Sequence, residues 1–116
     1  MIKTHWRDIV IEHVVQGIYD TYPELLERYG ETGRIRCEED NHHHLDHLES
    51  AATIQDEQVF LHYTEWLSSL LTARGMKNEH IIDNFERLKH GFKLVDFAEK
   101  EAFIMLLDKG IARLQN

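Results

Sequence analysis

The stretch Asp56–Gly75, DEQVFLHYTEWLSSLLTARG, contains a whole helix together with its start and stop signals. Aspartate is a preferred N-cap residue and glycine a preferred helix stop, so the two ends are defined by Asp56 and Gly75. Between them an apolar stripe recurs every three or four positions, formed by Phe60, Tyr63, Trp66, Leu67 and Leu70. This period is typical of an amphipathic helix, so we predict helix over 56–73 and expect the stripe to pack in a core.

The same period continues through most of the chain and indicates an all-α protein. We predict helices over 5–22, 31–54, 78–91 and 94–114, and a short helix over 23–29 that Pro23 opens and Gly30 closes. Connections of a few residues favour antiparallel neighbours. We therefore predict a single domain, 1–116, folded as an antiparallel bundle of four main helices plus a short additional helix.

The negative charge of the chain is concentrated in one window. From Cys37 to Ala73 there are eight acidic residues, five histidines and no lysine or arginine, while the whole chain has a net charge of −8. Such a protein lacks the basic face that nucleic acids require, and no apolar run approaches the roughly 18 residues that span a membrane. A lone cysteine suits a reducing compartment. We expect a soluble cytoplasmic protein that binds neither nucleic acid nor membrane.

The predicted helix 31–54 changes character along its length. Its C-terminal half carries an ordinary apolar stripe through Leu45 and Leu48, whereas the same face of its N-terminal half is polar. The inward polar set consists of Arg34, Glu38, Asn41 and His44. Polar groups buried without partners are costly, so this set either lines a ligand or partner site or satisfies itself within the core. We expect Tyr63 and Trp66 to close the site, with His44 or Glu38 as hydrogen-bond acceptors.

Two other uses of this region remain open. His43 and His47 are spaced i, i+4 on the solvent side of the helix and could share a divalent metal, with His42 and nearby carboxylates as further ligands. His44 could instead act as the general base of a small enzyme. Glu38 and Glu39 follow Cys37 and disfavour its thiolate, so we do not expect Cys37 to be a nucleophile.

Scattered positions also resemble a known family. They are Gly33-Arg34, Cys37-Glu38-Glu39-Asp40, His44-Leu45-x-x-Leu48, Phe60-x-x-Tyr63-x-x-Trp66-Leu67 and Leu71-x-x-Arg74-Gly75. This pattern, over 22–88, resembles the helical module that precedes the cobalamin-binding domain in bacterial B12-dependent sensory and regulatory proteins. The resemblance implies a bundle that caps a corrin ring and responds to a ligand without catalysis. The sequence contains neither an α/β cobalamin domain nor an Asp-x-His-x-x-Gly motif.

Together these observations predict a non-catalytic regulatory or sensory module that binds a small ligand or a protein partner and forms a homodimer. The predicted ligand site is Arg34, Glu38, Asn41, His44, Tyr63 and Trp66, and the alternative metal site is His43 and His47. The sequence does not decide the identity of a cofactor, for which a corrinoid and a divalent metal are the two candidates.

Overall fold

A computed structural model describes residues 5–115 of the chain; the predicted domain, 1–116, extends beyond this range at both ends. All regular secondary structure in the described range is helical, which confirms the all-α prediction. The helices are α1 (Trp6–Thr21), α2 (Glu24–Ile54), α3 (Glu57–Ala73), α4 (Asn78–Phe92) and α5 (Lys100–Leu114). None of the helices in this part of the chain has the length and apolar character needed to cross a membrane.

Residues 5–115 form five helices, which correspond to the five long spans predicted above, whereas the short span 23–29 is not a separate helix. The predicted short helix is the first arm of α2, and the chain bends at Gly30, whose backbone adopts φ 62° and ψ −160°. Glycine reaches this conformation without steric cost, whereas residues with a Cβ do not. The helix therefore continues beyond the kink instead of ending there.

The last helix begins later than predicted, at Lys100 instead of near Leu94. The intervening segment leaves the helical path because Phe97 stacks on Trp6 of α1, with ring centroids 3.9 Å apart and planes 2° apart. The ammonium group of Lys100 donates a hydrogen bond of 2.7 Å to the carbonyl of Val95. These contacts fix a turn where periodicity alone predicted more helix.

The helices share one core. α1 packs against α2 and α4, α3 packs against α2 and α5, and α4 packs against α5. The largest side chains buried between them are Phe60, Phe85, Phe92 and Phe103. Gly110 lets α5 approach this core closely, since a Cβ there would lie 3.0 Å from Phe60 and 3.3 Å from Phe85.

A tight turn joins α2 to α3 and sets them side by side. Gln55 has φ 62° and ψ 42°, the left-handed conformation. The amide of Asp56 donates to the carbonyl of Ala51 at 3.1 Å, and the Asp56 carboxylate accepts from the Gln58 amide at 3.0 Å. The predicted break and the Asp56 cap are therefore confirmed.

Replacing Gln55 with glycine is expected to raise the free energy of unfolding by about 0.5 to 1 kcal/mol, because glycine adopts positive φ without strain. Urea unfolding would measure the change. Ser50→Gly, at an exposed position inside α2, is the control and should lower stability by about 0.5 kcal/mol. Destabilisation by both substitutions would contradict the strain assigned to Gln55.

Candidate functional site

A cleft of about 550 Å³ lies between α2 and α3. Its volume falls within the range of roughly 300 to 1,000 Å³ that small-molecule sites occupy. The α2 wall carries Arg36, Asp40, His43, His44 and His47, and the α3 side carries Val59, His62, Tyr63, Trp66, Leu67, Leu70, Leu71 and Arg74. Aromatic, apolar and charged groups thus face one concavity.

The base of the cleft contains a buried hydrogen bond between the two helices. His44 Nδ1 lies 2.6 Å from the Tyr63 hydroxyl, and both residues are buried. The Tyr63 hydroxyl makes no other hydrogen bond with residues 5–115, and donation of its proton to Nδ1 would place the imidazole proton on Nε2. The predicted contact between Tyr63 and His44 is confirmed.

Both partners of this bond are neutral at neutral pH. Burial, with smaller contributions from His43 and His47, lowers the pKa of His44 to about 3. Burial also raises the pKa of Tyr63, and Asp40 and Asp46 act in the same direction. An imidazole with a pKa near 3 is a weak proton acceptor, so the geometry does not favour His44 as a general base.

Aromatic rings continue from this bond to the open side of the cleft. His47 stacks on Tyr63 with centroids 3.8 Å apart and planes 12° apart, and Trp66 follows at 6.0 Å from Tyr63. Trp66 is 58% exposed, so the expectation that it packs in the core is wrong. The apolar stripe of α3 is wider than the core face, and Trp66 stands at the edge that borders the cleft.

Charged groups are concentrated near Asp40. Its carboxyl has a pKa raised by partial burial, an effect that His43, Arg36 and, more weakly, Arg74 oppose. Neither of these arginines forms an ion pair with another residue in the range 5–115. Arg36 and Arg74 therefore keep their guanidinium groups available to the cleft.

Three predicted site residues lie away from the cleft. Arg34 donates to the Gln16 side chain at 3.1 Å and lies 5.4 Å from the centroid of the Tyr19 ring. Asn41 is fully buried and exchanges two hydrogen bonds with Asn84 of α4, at 2.7 and 3.2 Å.

Glu38 is exposed, so the prediction that it points inward is wrong. The inward face of α2 extends backward from Leu48 through His44 and Asn41 to the half-buried Cys37. Glu38 follows Cys37 by one residue, which turns it about 100° around the helix. Every buried side-chain nitrogen or oxygen among residues 5–115 has a hydrogen-bond partner. The hydrogen bonds with Asn84 therefore explain why Asn41 is polar and buried. Of the inward polar set, only His44 borders the cleft.

The metal alternative has no complete ligand set in the described residues. No group of three or more His, Cys, Asp or Glu side chains in the range 5–115 is arranged to hold an ion. His42 and His43 are exposed, and His47 Nδ1 lies 2.8 Å from the carbonyl oxygen of His43. Burial, then Asp40 and Glu38, raises the pKa of Cys37 to about 11, as expected for an unreactive thiol.

Comparison with known proteins finds no relative. No protein-family model, curated protein or solved structure matches this chain. The resemblance to the helical module of B12-dependent regulators therefore remains a prediction from scattered sequence positions. The function has to be argued from the cleft itself.

Sequence reasoning did not assign Arg36, Asp40, Val59 or Leu70 to a site, although they share a regular spacing with predicted site residues. Arg36, Asp40, His43 and His47 follow i, i+4, i+7, i+11, which places them on one face of α2 beside the buried stripe. On α3 the same spacing connects Val59, Tyr63, Trp66 and Leu70. Two such stripes on helices joined by a two-residue turn border a common groove, and this signal could have identified the site.

Replacing Tyr63 with phenylalanine is expected to lower the free energy of unfolding by about 1 to 3 kcal/mol, because the buried Nδ1 of His44 loses its hydrogen-bond partner. Chemical denaturation would measure the loss. The matched control is Tyr29→Phe, at a side chain that is 57% exposed, and it should change stability by less than about 0.5 kcal/mol. Equal effects of the two variants would argue against the hydrogen bond.

Acid is expected to destabilise the fold through His44. The folded-state pKa is near 3 and the unfolded value near 6.5, so between these pH values the unfolded chain binds a proton that the folded chain excludes. This contribution makes the free energy of unfolding fall as pH drops from about 6.5 toward 3, by up to about 1.4 kcal/mol per pH unit.

The measurement is a denaturation series across this pH range. His44→Asn, which offers an acceptor oxygen in place of Nδ1 but does not titrate, should show a shallower decline than the natural chain. His62→Asn, at an exposed position, should keep the steep decline. Parallel curves for the natural chain and His44→Asn would rule out this source of acid sensitivity.

Proposed function

We propose that this protein is a non-catalytic regulatory or sensory module that binds a small organic ligand in the cleft between α2 and α3. The observation that carries the proposal is the exposed ring of Trp66 beside the aromatic pair of Tyr63 and His47. A concave site with aromatic walls and a few polar groups is the usual form of a small-molecule site. The resemblance to sensory helical modules agrees with this role.

The chemistry of the cleft supports binding over catalysis. The one buried imidazole, His44, is neutral and has its Nδ1 occupied by the Tyr63 hydroxyl. Outside the cleft lining, the thiol of Cys37 has a raised pKa, so its nucleophilic form is scarce at neutral pH. Neither group is prepared for proton transfer or covalent attack.

The contacts beneath the cleft provide a route from ligand to core. His44 meets Tyr63 on one side and the ring of Phe85 in α4 on the other, with centroids 5.5 Å apart. A ligand that moves Tyr63 would disturb this buried bond and the packing of α4. Binding would thereby change the relative stability of two arrangements of the bundle, which is the basis of a ligand response.

The proposal extends to arrangement, assembly and occupant. Adjacent helices in contact and short turns are compatible with an antiparallel bundle of the main helices. Large exposed apolar side chains are available for homodimer contacts. These side chains are Ile9, Leu26, Tyr29, Ile35, Ile54, Trp66, Met76, Leu94 and Met105. The single cysteine suits the cytoplasm. The resemblance implies a corrinoid as the occupant. A corrinoid is larger than a drug-sized cleft, so the cleft between α2 and α3 would cover only one face of its ring.

Native mass spectrometry of the untagged protein from its own host, with elemental analysis of the same sample, tests this function. We expect an organic mass on the natural chain that is lost in Trp66→Ala. The matched control is Leu94→Ala, because Leu94 is also 58% exposed but lies outside the cleft, and this variant should retain the mass.

Other results would change the assignment. A stoichiometric metal without an organic mass would replace the ligand site by the histidine alternative. A protein that carries no added mass in any preparation, and behaves as a bare dimer, would leave an interaction module and overturn the small-ligand function. The same spectra report the oligomeric state.

A further inference from the structure

The charges that border the cleft are unequal. Arg36 of α2 and Arg74 at the end of α3 contribute two guanidinium groups, and Asp40 contributes one carboxyl. All three residues line the same cleft, and both arginines lower the pKa of the Asp40 carboxyl. Among these charged lining residues one positive charge is in excess, which Glu39, the neighbour of Asp40 outside the cleft lining, partly offsets.

The rest of the cleft wall is aromatic and apolar. Trp66 presents its ring to solvent, and Leu67, Leu70 and Leu71 continue the α3 side along the same helix. Aromatic side chains bind flat conjugated rings by offset stacking, and leucines exclude water from their edges. The preferred ligand is thus flat and apolar over most of its area.

We propose that the cleft between α2 and α3 takes a planar aromatic monocarboxylate, with its ring against Trp66 and its carboxylate at Arg36 and Arg74. This inference rests on the proposed function and specifies the ligand class of the same site. Guanidinium groups match carboxylates in geometry and can donate two parallel hydrogen bonds. The single excess positive charge fits one negative charge on the ligand and disfavours a dianion, which Asp40 would repel.

The experiment is isothermal titration of the full chain with naphthoate and with the neutral isostere naphthamide. Naphthoate should bind about tenfold more tightly than naphthamide, because only the acid interacts with both arginines as an anion. Trp66→Ala should weaken both probes about tenfold. Circular dichroism melts would confirm that each variant is folded.

Charge variants give effects of opposite sign. Arg36→Gln and Arg74→Gln should each weaken naphthoate about threefold, and Asp40→Asn should tighten it about threefold. None of the three should change naphthamide binding. Arg28→Gln is the control, because Arg28 is exposed on the first arm of α2 and lies outside the cleft, and it should leave both probes unaffected.

The outcomes separate the ligand class from the function. Equal affinity for the two probes, still lost in Trp66→Ala, would overturn the carboxylate assignment and leave the cleft as a ligand site. If neither probe binds, but the mass carried from the host still depends on Trp66, the carboxylate assignment is likewise overturned and the cleft remains a ligand site. Failure of both probes together with no such mass, or with a dimer that Trp66→Ala dissociates, would overturn both proposals.

Discussion

The hydrogen bond between His44 and Tyr63 is the interaction on which the region between α2 and α3 depends. It lies in a largely apolar core, where a polar group without a partner would be costly, so each side chain requires the other in place. Because one partner comes from each helix, the bond fixes how the two helices face each other. The ring of Tyr63 then supports His47 on one side and stands next to Trp66, so the buried bond also positions the aromatic wall of the cleft.

A second polar pair, the fully buried Asn41 and the half-buried Asn84, divides the inward face of α2. Asn41 and Asn84 exchange two hydrogen bonds and connect α2 to α4, one helical turn before His44 connects α2 to α3. Such pairs tolerate few alternative alignments, because a shifted helix would leave amides and imidazole unsatisfied. Asn41 and His44, both members of the predicted ligand site, therefore specify the register of α2 against its neighbours. Only His44, the one nearer the C-terminus of α2, combines this role with a place in the cleft wall.

Much of the helical framework was predictable because its signals are local. Asp56 and Gly75 mark the ends of α3, and Gly30, predicted to close a short helix, is the position where α2 bends. The structure departs from the prediction where tertiary contacts determine the backbone conformation. The turn after α4 is one such place, because the stack of Phe97 on Trp6 keeps this segment from forming helix. For the site, periodicity correctly predicted that Asn41 and His44 are buried. It wrongly predicted that Glu38 and Trp66 are buried, because Glu38 lies one residue away from the inward face and Trp66 lies at the edge of the apolar stripe. Arg36 and Arg74 lie far apart in sequence, and only the packing of α2 against α3 brings both to one cleft.

The two tryptophans occupy opposite environments, and this has a practical consequence for spectroscopy. Trp6 is flush against Phe97 and edge-on to Phe92 and Phe103, whereas Trp66 stands in the open cleft. The short-wavelength part of the fluorescence emission therefore belongs to the packed end of the bundle and the long-wavelength part to the cleft. A soluble quencher extinguishes the second before the first. The unmodified chain thus carries one optical reporter of its fold and a separate one of whatever occupies the cleft.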